Sequence, residues 1–267
     1  MKNSLKIGVA VDVGETRKGK VNQDFTGVLL PGWFNQKQPL LLLSDGMGAY
    51  GGGEIASKIA VQTILKVYKH YSRKQVNFTE ILGKGIRTAH KEIIRQSKRK
   101  KELEWMGCTI VAAIPTASAI HLANVGDSRA YLVNASGIKQ INYDHSFVAE
   151  QVRLGLITEL EARIHPKRNV LTLSLSARRD NVQPYFSETP WQEDDVLLLC
   201  SDGLWGPVTE AQIQAVLLEF EPQQAADKLI KLANISGGPD NISVIIATRR
   251  KEPVTLEDAD ITGPGIA

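Results

Sequence analysis

The sequence is poor in metal-binding and cross-linking side chains: two cysteines and five histidines in 267 residues. Cys108 and Cys200 each stand alone in an apolar run, and no His/Cys cluster has the spacing of a zinc site. A disulfide framework is not expected either. Two buried thiols and no signal-peptide pattern at the start predict a reducing, cytoplasmic setting. No charge of one sign dominates, with 32 lysines and arginines against 29 aspartates and glutamates. That balance, and the lack of a stripe of basic and aromatic residues, argue against nucleic acid as a partner. No apolar run approaches the ~18 residues that would span a membrane. No long repeat is visible. No Pro/Gly/Ser linker separates two apolar halves. One domain over residues 1–250 is therefore expected, as a monomer. A tail of acidic residues, proline and glycine at 251–267 reads as disordered.

What the chain does have is aspartate placed beside glycine at the ends of apolar runs. Residues 40–54 read LLLLSDGMGAYGGGE. Four leucines closed by glycines predict a buried strand that ends in a turn at Asp45. The same arrangement recurs where residues 196–199 lead through Cys200 and Ser201 to Asp202 and Gly203. Asp240 follows Gly237-Gly238-Pro239 and precedes the apolar run 242–247. Asp127 lies in Val-Gly-Asp-Ser-Arg between two strand-like runs. A carboxylate at a buried strand end costs several kcal/mol to desolvate unless a cation or hydrogen bonds compensate. Two carboxylates about 4 Å apart repel by roughly 4 kcal/mol at an effective dielectric of 20. Divalent cations relieve that repulsion, so the four aspartates together predict an oxygen-ligand metal centre. Mg²⁺ or Mn²⁺ suits such ligands better than Zn²⁺.

The order of elements follows from periodicity. Strands are expected at 5–13, 25–30, 40–43, 108–114, 119–125, 130–133, 195–200 and 242–247. A turn is expected at 134–137. Helices are expected at 53–71, 78–101, 146–163, 210–218 and 223–233. The polar stretch 161–181 reads as a mobile flap. Strands grouped at both ends, with helix pairs between, imply an α+β fold.

Seven blocks, taken in order, resemble the metal-dependent protein phosphatase 2C (PPM) family in its compact bacterial form. They are Asn22-Gln23-Asp24, Asp45-Gly46-Met47-Gly48, Gly107-Cys108-Thr109, residues 125–131, Asp144-His145-Ser146, residues 201–204 and Asp240-Asn241. The resemblance covers roughly residues 5–249. It implies a four-layer α-β-β-α sandwich with two central antiparallel sheets. It also implies a serine/threonine phosphatase in which a metal-bridging hydroxide attacks the phosphorus directly. The implied metal ligands are Asp45, bridging two ions, the Gly46 carbonyl, Asp202 and Asp240, with Asp127 at a third site. Gln23, Asp24 and Asn241 would support them from behind. Asp45, Asp202 and Asp240 would be the catalytic set. The implied substrates are phosphoproteins made by a serine/threonine kinase.

The sequence departs from the family at the phosphate-binding arginine, whose usual position here is Gly19. Arg17 is the first choice to replace it, with Lys18 and Lys20 as alternatives, because guanidinium grips phosphate through two bonds. His121 and His145 read as structural, Trp205 as packing, and Arg129 as an internal ion-pair partner. Two rivals share parts of the pattern: a two-metal phosphodiesterase, and a family member kept only to bind phosphoproteins.

Overall fold

The computed structural model describes residues 5–32, 38–48, 52–71 and 77–250. The tail 251–267, Gly51 and most of the loop before Leu40 lie outside the described residues. Among the described residues, thirteen strands and seven α-helices follow in order. They are β1 (Lys6–Asp12), β2 (Phe25–Leu29), β3 (Leu40–Ser44), β4 (Gly46–Met47), α1 (Gly52–Tyr71), α2 (Phe78–Ser97), β5 (Gly107–Cys108), β6 (Ile110–Pro115), β7 (Ala119–Val125), β8 (Arg129–Asn134), β9 (Gly137–Gln140), α3 (Phe147–Arg153), α4 (Glu159–Ile164), β10 (Leu175–Ser176), β11 (Tyr185–Pro190), β12 (Val196–Cys200), α5 (Asp202–Trp205), α6 (Glu210–Glu219), α7 (Pro222–Ile235) and β13 (Ile242–Thr248). One sheet has the order β1-β13-β12-β8-β9 and the other β11-β7-β6-β3-β2, every pairing antiparallel. A short third sheet has the order β10-β5-β4.

The leucine run shows why the two large sheets stack. Successive side chains of a strand point to opposite faces. Leu40 and Leu42 pack outward with Ile64, Val61, Ile86 and Ile93 of α1 and α2. Leu41 and Leu43 pack inward with Leu197, Leu199 and Ile245 of the other sheet. Both faces of β3 are covered, so no polar position interrupts it. In β12 the same alternation sends Leu198 outward with Leu229, Ile213 and Leu217 of α6 and α7. The layers are thus helices, sheet, sheet, helices, the four-layer α-β-β-α sandwich that the resemblance implied. No helix among the described residues is long and apolar enough to cross a membrane.

Several boundaries differ from the sequence expectations. The strand expected at 108–114 breaks at Thr109, because its backbone N–H turns to the Asp45 carbonyl at 2.8 Å. The second helix ends at Ser97, and residues 101–103 form a separate 3-10 turn. The helix expected at 146–163 is two, α3 and α4. Gly155, at φ 69°, ends the first. The N–H groups of Gly155 and Leu156 reach back to the carbonyls of Val152 and Gln151 at 2.9 Å each, the Schellman pattern of a helix end. Thr158 and Glu161 then cap α4 reciprocally. The stretch 161–181 is not one free flap: Leu175 is fully buried and pairs with Cys108, while Ala177 N–H bonds the Met106 carbonyl at 3.0 Å. Strands β9 and β11 were not expected from the sequence; Asn134 and Gly137 are paired ends of the β8–β9 hairpin.

Candidate metal centre

Both large sheets deliver carboxylates to one edge of the sandwich. Asp24 precedes β2, and Asp45 lies between β3 and β4. Asp127 sits between β7 and β8, Asp202 opens α5, and Asp240 stands two residues before β13. Glycines make the approach possible. A Cβ on Gly46 would lie 2.2 Å from the Gly53 carbonyl oxygen and 2.4 Å from that of Gln23. A Cβ on Gly203 would lie 2.1 Å from the Asn241 carbonyl oxygen. These distances are far below contact, so a side chain at Gly46 would push the Asp45 turn away from Gln23 and Gly53, and one at Gly203 would push the Asp202 turn away from Asn241.

The carboxylates raise one another's affinity for protons. Burial lifts Asp24 to about 7, and the charges of Asp202 and Asp240 add to it; the Ser243 and Ser201 hydroxyls offset part of the rise. Burial also lifts Asp202 to about 6, helped by Asp240 and opposed by contact with Asp45 and the Arg17 charge. Burial, then Asp24, Asp202, Asp127 and Asp240, push Asp45 well above the usual carboxylate range. Asp127 is raised as well, by burial and then by Asp202 and Asp144.

Both carboxylate oxygens of Asp24, and Oδ1 of Asp202, are buried with no partner in hydrogen-bonding geometry; Ser243 Oγ near Asp24 is itself unpartnered, and Ser201 Oγ turns to the Asn241 carbonyl. Such orphaned oxygens are rare in proteins and call for a bound group. The donor set is carboxylate and carbonyl oxygen, which fits hard divalent cations. The side chains do not yet close on one point: among the described residues no group of three or more His, Cys, Asp or Glu could hold a metal ion as it stands. Asp240 is engaged elsewhere, with its Oδ2 2.7 Å from Arg17 Nη2.

The surrounding bonds fix backbone rather than carboxylates. Asn241 accepts from Gln23 N–H at 2.8 Å and donates to the Val13 carbonyl at 2.9 Å. Gln23 Nε2 donates to the Gly48 carbonyl at 3.0 Å. The 3-10 turn Glu15–Arg17 docks on the Asp240 loop, where Thr16 N–H bonds the Gly238 carbonyl at 3.0 Å.

The model of the family described as Protein phosphatase 2C matches residues 13–232. The chain belongs to this family. The serine/threonine phosphatase stp of Listeria innocua is 36% identical over 241 residues, 88% of this chain and 94% of the relative. Protein phosphatase PhpP of Streptococcus pneumoniae is 32% identical over 252 residues, 93% of this chain and 99% of the relative. Among solved structures, serine/threonine phosphatase Stp1 from Staphylococcus aureus superposes with a TM-score of 0.84 at 32% identity, covering 92% of this chain and 95% of that one. The catalytic domain of serine threonine protein phosphatase PstP, in complex with two manganese ions, gives 0.77 at 30% identity, covering 91% and 97%.

In this family member the structure brings Asp24, Asp45, Asp127, Asp202 and Asp240 to one edge, with Gly46, Gln23 and Asn241 between them. Arg17 reaches the same edge, whereas Lys18 turns to Glu15 at 2.6 Å on the exposed side. His121 lies 3.3 Å from Glu188 on the neighbouring strand, and His145 Nδ1 accepts from Gly126 N–H at 3.2 Å. Arg129 pairs with Asp144 at 2.8 Å in a buried site, as an internal partner.

Two contributors escaped the sequence reading. Thr109 Oγ1 accepts from the Asp45 N–H at 2.9 Å and meets Ser128 Oγ at 2.7 Å. Trp205, read as packing, donates its indole N–H to the Asp127 carbonyl at 3.1 Å. The Arg129 guanidinium lies 3.8 Å from the centre of the Trp205 ring. The signal for Trp205 was its place, three residues after Asp202, at the far end of a single helical turn.

Proposed function

We propose that this chain is a metal-dependent protein serine/threonine phosphatase, hydrolysing phosphoserine and phosphothreonine in proteins. The observation that carries the reading is the set of unpaired, buried oxygens of Asp24 and Asp202 among carboxylates that repel one another. Asp45, the Gly46 carbonyl, Asp202 and Asp240 would hold two Mn²⁺ or Mg²⁺ ions, and Asp127 would contribute to a third. Bound there, the cations supply an activated water and neutralise the phosphoryl charge.

The chain's other groups favour direct hydrolysis over a phosphorylated enzyme. Ser44 and Ser201 stand beside the two aspartates yet are fully buried. Ser44 Oγ donates to the Thr109 carbonyl at 2.6 Å, and Ser201 Oγ to the Asn241 carbonyl at 3.4 Å. Burial pushes the Cys108 thiol up to about 12 and raises Cys200 as well. Neither thiol forms the thiolate that attacks phosphorus. Arg17 is the phosphate-binding residue: its guanidinium exchanges the Asp240 carboxylate for two phosphoryl oxygens. Gln23 and Asn241 hold the Asp24 and Asp240 segments together while this exchange occurs. The enzyme acts in the cytoplasm on products of a serine/threonine kinase.

The test is Mn²⁺-dependent release of phosphate from a small aryl phosphate and from a phosphothreonine peptide. Activity on both, abolished by a chelator and restored by Mn²⁺, is expected. Undiminished activity in excess chelator would remove the two-metal reading. Activity on the small ester alone would remove the protein-phosphatase one.

A further inference from the structure

The short sheet β10-β5-β4 carries the metal-site strand Gly46–Met47 at one edge. Past its other two strands the chain builds a second feature. Trp105 stands two residues before β5, and Arg178 two residues after β10. The Arg178 guanidinium lies 3.7 Å from the centre of the Trp105 ring, a cation–π stack. Its Nη1 lies 3.0 Å from Glu104 Oε1. Trp105 is 64% exposed, while its neighbours Leu103 and Met106 are buried. The backbone holds it in place: Met106 N–H bonds the Leu103 carbonyl at 3.1 Å, and Ala177 N–H bonds the Met106 carbonyl at 3.0 Å. A large aromatic surface is thus kept in water by a rigid mount.

This shelf abuts the turn after Asp45. The Trp105 carbonyl oxygen would lie 3.4 Å from a Cβ on Gly48. The Gly48 carbonyl in turn accepts from Gln23. Neighbouring strands lie about 4.8 Å apart, so three strands place the shelf about 10 Å from Gly46. Two or three residues of extended peptide, at about 3.3 Å each, cover that distance. The chain on either side, Lys98 to Glu104 and Arg178 to Asp180, carries six cations against three anions. All nine are exposed. The Arg178–Glu104 pair is itself half-exposed. Such a pair is worth about 0–1 kcal/mol, so another carboxylate can replace Glu104.

We propose that Trp105 and Arg178 form a recognition shelf for phosphoprotein segments that carry an aspartate or glutamate two or three residues from the phosphorylated one. The acidic side chain takes the Arg178 guanidinium, and the peptide packs flat on the indole. This rests on the phosphatase reading above and assigns that site a substrate class.

The experiment compares kcat/KM, at saturating Mn²⁺, on three substrates: a small aryl phosphate and two phosphothreonine peptides. The peptides differ only in glutamate or lysine, placed in turn at two and at three residues from the phosphothreonine on either side. The wild-type protein is expected to prefer the glutamate peptide on one side by fivefold or more, and less so as salt is raised. Arg178→Glu is expected to reverse that preference. Trp105→Ala is expected to lower kcat/KM several-fold on both peptides. Neither change should alter kcat/KM on the aryl phosphate. Equal wild-type rates on glutamate and lysine peptides at every position would overturn the shelf, and that comparison needs no variant to fold. A preference that survives Arg178→Glu would also overturn it. Failure of the aryl phosphate with wild-type protein would instead sink the phosphatase reading itself.

Discussion

Arg17 Nη2 lies 2.7 Å from Asp240 Oδ2, so the guanidinium proposed to bind phosphate and the carboxylate proposed to bind metal neutralise each other across 223 residues of sequence. Both side chains are about one-third exposed, which leaves either free to exchange its partner at small cost. Freed from Arg17, Asp240 would be open to a cation, and freed from Asp240, Arg17 would be open to phosphate. Arg17→Ala is therefore expected to raise KM clearly with a smaller effect on kcat. It should also tighten Mn²⁺ binding in calorimetry, since a competing positive charge is gone. Lys18→Ala, which breaks only the surface pair with Glu15, should do neither. An Arg17→Ala enzyme with wild-type KM and wild-type Mn²⁺ affinity would separate the two residues functionally.

Asp202→Asn is expected to cut turnover by orders of magnitude while making the metal-free protein more stable. The amide keeps the shape of the carboxylate but removes one member of a mutually repelling group. The relief should be on the order of 1–3 kcal/mol at pH 8. Thermal unfolding in chelator checks this. A variant less stable than wild type in chelator would mean that Asp202 supports the fold and does not strain it.

Raised carboxylates give the site a defined pH dependence. Asp24, at about 7, and Asp202, at about 6, hold protons in the folded chain that an unfolded carboxyl loses near pH 4. Between about pH 4 and 7 the folded state binds more protons, so these groups lower metal-free stability as pH rises. Cations displace the same protons, and their stabilising effect grows across the same window. The difference in melting temperature between Mn²⁺ and chelator should therefore be larger at pH 8 than at pH 5. An increment that does not change with pH would contradict the charge state assigned to Asp24 and Asp202.

Trp205→Phe keeps a ring against Arg129 but deletes the N–H bonded to the Asp127 carbonyl. A lost hydrogen bond of this kind costs about 0.5–1.5 kcal/mol, or more if the carbonyl is left unpaired. The expected result is weaker binding of the cation nearest Asp127, read by Mn²⁺ calorimetry, with nearly unchanged affinity for the tighter ions. Uniform weakening of all ions would show that Trp205 supports α5 as a whole.

Much of this arrangement was legible in the residues. The leucines of β3 and β12 announce strands buried on both faces because no polar residue breaks them. Each Ser-Asp-Gly places a carboxylate where such a strand ends. The edge strand β11, Tyr185–Pro190, was not legible: its residues YFSETP alternate too weakly between apolar and polar. The α3–α4 break was written in Gly155 and in the Thr158–Glu161 cap, but the apolar spacing ran on through both helices and masked it. The flap reading failed at Leu175, because a two-residue strand has no period to detect. The Arg17–Asp240 and Trp205–Asp127 contacts join residues 223 and 78 positions apart. No local pattern in one sequence predicts such pairs.

The sheet order β1-β13-β12-β8-β9 has a consequence for synthesis. Strand β13, the last among the described residues, is not an edge but the filling between β1 and β12. Until it leaves the ribosome, both neighbours present open, apolar edges with nothing to pair with. Asp240 arrives just ahead of that same strand, so the carboxylate cluster is incomplete until then. A ribosome stalled a few dozen residues early would release no weaker phosphatase. It would release an aggregation-prone chain, and quality control would see it before any phosphoprotein did.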